Sequence, residues 1–96
     1  VTFQYHPEAA KELTSSIKYY EDKSEGLGEE FLDEVEAAIS LILSHPETGT
    51  IITKEDRRIL LNRFPYSLIY DVSNEMITIN AVMHLSRRPE YWKSRK

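Results

Sequence analysis

The stretch RRILLNRFPYSLIYDVSNEMITINAVMHLSRRPEYW, residues 57–92, decides the fold. It holds three apolar runs of strand length, rich in β-branched and aromatic residues and separated by only a few residues, a succession that predicts an antiparallel meander. The first run is Arg57 to Phe64, closed by Pro65, which has no N–H for a ladder and biases its predecessor toward extended geometry. The second is Ser67 to Val72. Ser73, Asn74 and Glu75 then make a polar connection, with Asn74 suited to a left-handed turn position, and the third run spans Met76 to His84.

Side chains alternate across a strand, so Leu68, Tyr70 and Val72 share a face, as do Ile77, Ile79, Ala81 and Met83. These sets are expected to meet a helical layer. The other parity collects Arg58, Leu60 and Asn62, then Ser67, Ile69 and Asp71, then Thr78, Asn80, Val82 and His84, a mixed face expected to be open to water.

Outward from the meander, Val1 to Tyr5 alternates apolar and polar and predicts a short first strand. His6 and Pro7 end it and open a helix, where proline suits the first turn and Glu8 suits the positive end of the macrodipole. Ala10, Leu13, Ile17 and Tyr20 recur at helical spacing, carrying the helix to about Ser24. Gly26 and Gly28 mark a break, and a second helix starts near Glu29 with the apolar stripe Leu32, Val35, Ile39 and Ile42, ending at His45 and Pro46. Residues 47–56 are expected to be loop. After His84, Ser86 and Pro89 flank a short C-terminal helix or turn that Tyr91 and Trp92 pin to the sheet. The predicted architecture is α+β: an N-terminal strand, an αα-hairpin, a three-stranded antiparallel β-meander and a short C-terminal helix, in one domain over residues 1–96.

The absence of cysteine excludes disulfide staples and thiolate metal sites. No apolar run reaches the roughly 18 residues of a membrane span, and the first residues, VTFQYHPEAA, have neither a basic nor an apolar leader region, so the expectation is a cytoplasmic protein with no membrane partner. Charge is segregated. Residues 1–49 carry 3 basic and 11 acidic side chains, a balance of −8, whereas residues 50–96 carry 9 and 5, a balance of +4, which directs anionic partners toward the sheet and tail.

No nucleophile elbow, phosphate loop or metal-binding motif is present, and no metal or cofactor is expected. His6 and His45 sit at element boundaries. His84 ends a strand and is followed by Arg87, Arg88 and Tyr91, a set whose types match RNA cleavage through a 2′-hydroxyl: a base, cations for the charge on phosphorus and an acid for the leaving oxygen. The same residues also suit surface ion pairs and a tyrosine in the core. Arg57, Arg58 and Arg63 fit phosphates, a partner's carboxylates or a charged strand edge equally well.

The element order, with FPYSLIYDV and AVMHLSRRPEYW, resembles the RelE/ParE family of toxins from type II toxin-antitoxin systems, over nearly the whole chain. The residues that carry it are Arg58 ahead of Phe64, Pro65 and Tyr66, then Tyr70, then Val82, His84, Arg87, Arg88, Pro89, Tyr91 and Trp92. The resemblance implies a plasmid-stabilisation type toxin neutralised by a cognate antitoxin, whose extended segment wraps it, in a hetero-oligomer or with the toxin as a homodimer. ParE-type members inhibit DNA gyrase, and others cut messenger RNA in the ribosome using cations across the open sheet face and a tyrosine in the tail. The positions matching that set are Arg58, Leu60, Ser67, Leu85 and Tyr91, three of which lack the cation needed at a phosphorane-like transition state. The gyrase-type reading is therefore favoured, the ribonuclease alternative rests on Arg58, His84, Arg87 and Tyr91, and a non-toxic binding module of the same fold is the third possibility.

Overall fold

The computed structural model describes residues 2–95, so Val1, expected in the first strand, lies outside the described residues. β1 (Thr2–Tyr5) leads into α1 (Pro7–Lys23) and α2 (Leu27–Ser44); then come β2 (Thr50–Ile51), β3 (Asp56–Leu60), β4 (Tyr66–Ser73) and β5 (Met76–His84). Among the described residues these strands form one sheet in the order β1-β5-β4-β3-β2. β1 runs parallel to β5 and every other pairing is antiparallel.

α1 begins where the His6 imidazole accepts the Glu8 N–H at 3.0 Å, satisfying one of the first-turn donors. α2 starts at Leu27, two residues before the expected Glu29, because Glu21 of α1 reaches across to accept the N–H groups of Gly26 and Gly28. The helices approach closely at Gly28, where a Cβ would stand 2.6 Å from the Ile17 carbonyl oxygen. Both helices lie on one side of the sheet, over a core of Ala9, Phe31, Val35, Ile39 and Ile42 against Leu68, Tyr70, Ile77, Ile79 and Val82.

The three expected antiparallel strands form, but within a larger sheet: β2 adds a fourth antiparallel strand. Thr50 and Ile51, expected as loop, pair with Arg58 and Arg57, because Tyr70 accepts the Gly49 N–H at 2.9 Å and donates to the Pro46 carbonyl at 2.8 Å, holding this connection against the sheet. The run from Arg57 to Phe64 is strand only to Leu60; beyond it the chain turns so that Leu61 and Phe64 enter the core. The C-terminal helix is a single 3₁₀ turn, Lys93–Arg95.

The largest correction concerns Ala81 and Met83. The β4–β5 register shifts between Ile69 and Tyr70, whose partners are Ala81 and Ile79, so Asn80 is an extra residue opposite no partner. Alternation is reset there. Ile77 and Ile79 face the helices as expected, but after the bulge it is Val82 and His84 that do so, while Ala81 and Met83 turn to the far face. That face is not simply open to water: Ile69, Ala81 and Met83 form a second small core beneath Trp92, with Ile52 and Tyr91 at its margin.

The β4–β5 turn has both central residues at positive φ, Asn74 at 52° and Glu75 at 63°. Asparagine tolerates this conformation, but for glutamate it costs about 1 kcal/mol or more. Glu75→Gly is expected to stabilise the protein by about 0.5–1 kcal/mol, seen as a higher urea midpoint at unchanged slope.

Candidate functional site

β1 ends at Tyr5, which pairs with Ile79, so the rest of β5 has no strand beside it on that edge. The edge is closed by side chains. The Val82 N–H donates to Glu12 Oε1 at 3.0 Å, and the Asn80 carbonyl accepts from Arg95 at 3.0 Å. Glu12 reaches the edge from α1, where the small side chains of Ala9 and Ser16 are buried.

The same carboxylate gathers the tail. Tyr91 donates its hydroxyl to Glu12 Oε2 at 2.6 Å, and Arg95 donates to both carboxylate oxygens, at 2.9 and 2.7 Å. The side chains of Glu12 and Arg95 are only 15% and 12% exposed, so this pair is shielded from solvent screening. Burial opposes ionisation of Glu12, yet the hydrogen bonds from Arg95, Tyr91 and the Val82 N–H together hold its carboxyl below the usual carboxylate range. Tyr91 is shifted the other way: burial, then its bond to Glu12, push the phenol well above its ordinary value.

Arg87 lies 3.9 Å from the Tyr91 ring centre and Arg95 4.8 Å, so the phenol is flanked by two guanidinium groups. Arg87 comes only within 4.0 Å of Glu12 and is half exposed. His84 meets the Tyr66 ring edge-on at 5.0 Å, and its Nδ1 accepts the Ser86 N–H at 3.0 Å, which leaves the ring proton on Nε2. His84, Arg87 and Arg95 line a cleft between α1 and β5 together with Lys11, Ser15 and Tyr66.

Arg58 is elsewhere. It pairs with Ile69 across β3 and β4 and lies on the far face, at a cleft lined by Ile52, Ile69, Met83, Pro89 and Trp92. Of the candidate residues, the fold thus brings His84 and Arg87 to one cleft, with Tyr91 against Arg87 at the sheet edge, and puts the sheet between that cleft and Arg58. At the other positions matching the RNA-cutting relatives, Leu60 is 54% exposed, Leu85 is 47% exposed, and Ser67 is fully buried with a hydroxyl that finds no hydrogen-bond partner among the described residues.

Arg88 is exposed, whereas Arg57 and Arg63 have duties within the fold. Arg57 donates to the Glu47 and Gly49 carbonyls, and Arg63 pairs with Glu30 at 2.7 Å. Sequence reasoning missed Glu12 and Arg95 because they contact partners about seventy residues or more away; the one available signal was the Ala9 and Ser16 spacing around Glu12, which marks a close approach of α1 to the sheet.

The Glu12 arrangement makes acid stability testable. A carboxyl held below its unfolded value near 4.3 stabilises the fold above that pH, and the contribution is lost as pH falls through the folded value. Glu12→Gln is expected to cost about 2–4 kcal/mol at neutral pH, since it leaves Arg95 buried without its counter-ion, and the difference from the parent should shrink below about pH 4 in urea titrations.

Among the described residues no helix is long and apolar enough to cross a membrane, and no cluster of three or more histidine, aspartate and glutamate side chains is placed to hold a metal ion. No curated protein matches the chain. A family model does match, over residues 3–89: the ParE toxin of type II toxin-antitoxin system, parDE. That span takes in β1, both helices, the whole meander and the tail as far as Pro89, and on it the chain belongs to the ParE toxin family of type II toxin-antitoxin systems.

Proposed function

We propose that this toxin acts in the cytoplasm by binding and poisoning a protein target of the DNA gyrase kind, and that a cognate antitoxin neutralises it. The observation that carries this reading is that Arg58 and the cleft of His84 and Arg87 lie on opposite faces of the sheet. Acid–base cleavage of RNA needs its base, acid and phosphate-binding cations within hydrogen-bond reach of one scissile bond. Two further features support the same reading. The Tyr91 proton is committed to Glu12, which makes the phenol a poor acid, and exposed leucines, Leu60 and Leu85, stand at positions where a phosphate would need cations.

A ribosome-dependent endoribonuclease is the second reading, favoured by one observation: His84 lines a cleft that also holds Lys11 and Arg87. The two separate in one set of experiments. The purified protein is expected to inhibit supercoiling by gyrase, and its expression to cause filamentation with intact messenger RNA. His84→Ala combined with Arg87→Ala is expected to leave that toxicity within about threefold, because neither side chain performs chemistry. Messenger RNA cut during translation, and spared by the double variant, would overturn the proposal. Relief of toxicity by a small protein encoded in the adjacent reading frame tests the antitoxin, and no growth effect at all would assign the chain to a non-toxic binding module.

A further inference from the structure

Two clefts meet on the helix side of the sheet. The one between α1 and β5, of about 360 Å³, shares Tyr66 and His84 with a second, of about 390 Å³, whose other walls include Tyr19, Tyr20 and Pro65. Lys11, Ser15 and Tyr19 follow one another at four-residue spacing on α1, so they form one stripe that runs about 12 Å from the first cleft into the second. The trough is cationic at one end and aromatic at the other.

The cationic end has one charge left over. Lys11, Arg87 and Arg95 line it with Glu8 and Glu12. Arg95 and Glu12 neutralise each other at 2.7 Å, and the exposed Lys11 and Glu8 pair at 3.4 Å. Arg87 comes no nearer to Glu12 than 4.0 Å, because the two carboxylate oxygens already take bonds from Arg95, Tyr91 and the Val82 N–H. Its guanidinium forms no hydrogen bond among the described residues, yet it is held in place over the Tyr91 ring. A fixed guanidinium with unused N–H groups, beside a lysine and a serine hydroxyl, is a donor set for a phosphate group. His84, with its ring proton on Nε2, lines both clefts and adds a donor.

At the other end Tyr19 is 54% exposed, and together with Pro65 it offers flat apolar surface to a planar ring; the Lys23 ammonium, 5.1 Å from the Tyr19 ring centre, belongs to an exposed side chain that can swing aside. A bare anion would leave Tyr19 unused, and an uncharged ring would leave Arg87 unpaired. A polynucleotide needs several uncompensated cations, where this trough has one.

We propose that the trough binds a nucleoside monophosphate, with its phosphate on Arg87, Lys11 and Ser15 and its base stacked against Tyr19. The two turns of α1 between Lys11 and Tyr19 match the length of such a molecule. The site is independent of the reading that the toxin poisons gyrase, and it binds its ligand without cutting it.

The test titrates the full chain by calorimetry with adenosine and cytidine 5′-monophosphates, against adenosine, inorganic phosphate and phenyl phosphate, whose ring sits too near its phosphate to reach Tyr19. Both nucleotides are expected to bind with dissociation constants of about 0.1–1 mM, at least about tenfold tighter than any control. Arg87→Gln is expected to weaken them at least about tenfold, and Tyr19→Ala at least about fivefold, down to the affinity of inorganic phosphate. Each change removes a half-exposed side chain, so both variants are expected to keep the parent's circular dichroism. Nucleotides that bind no tighter than phosphate or phenyl phosphate, affinity unchanged in either variant, no heat below about 10 mM, or a hexaribonucleotide bound more than about a hundredfold tighter than its mononucleotides would each overturn the proposal. None of these arms uses gyrase. Nucleotide binding by a chain that leaves gyrase untouched upholds this site and overturns the target, and gyrase inhibition by a chain that binds no nucleotide does the reverse.

Discussion

The Glu12 carboxylate closes an edge that the fold leaves open. β1 is too short to accompany β5 to its end, so the Asn80 carbonyl and the Val82 N–H would face outward unpaired. Unpaired backbone groups at a partly buried strand edge are costly, and an open edge is a template for unwanted pairing. Glu12 and Arg95 answer both problems at once, the one bonding Val82, the other Asn80, and each bonding the other. Tyr91 completes the arrangement, and with it the tail becomes part of the sheet.

The position of the tail depends in turn on Asn80. Because the bulge puts Asn80 and Ala81 on the same side, β5 serves the helical core with Ile77, Ile79 and Val82 and the far core with Ala81 and Met83. Trp92 has an apolar floor to cover only because alternation is reset at that residue. Asn80 itself is buried, and its amide donates to Asp71 at 2.7 Å, so the irregular residue is held by side-chain hydrogen bonding. This one insertion also divides the cations, placing His84 on the helix side and leaving Arg58 on the other.

Much of the fold was legible from residue pattern. The bounds of β5, the Asn74 turn, the Pro7 helix start and the apolar stripe of α2 follow from local rules that tertiary contacts reinforce. The bulge was not legible, since the consecutive apolar residues Ala81, Val82 and Met83 fit either parity and the extra residue is defined only by its partner strand. Thr50 and Ile51 were missed because their pairing depends on the Tyr70 hydroxyl, which fixes the preceding loop from more than twenty residues away. Of the candidate site, the clustering of His84, Arg87 and Tyr91 was readable from their nearness in sequence. The isolation of Arg58 was not: its side of β3 is the expected one, and it is the bulge that turns His84 to the opposite face.

If Glu12 secures this edge, the Val82 amide belongs to the protected interior even though no strand lies beside it. Hydrogen exchange at that single amide, compared between the parent protein and Glu12→Ala at the same pH, tests this most directly. The account predicts protection close to that of the Ile79 amide in the parent, lost selectively at Val82 in the variant while Leu68 and Tyr70 stay protected. Fast exchange of Val82 in the parent, or unchanged protection in the variant, would contradict it.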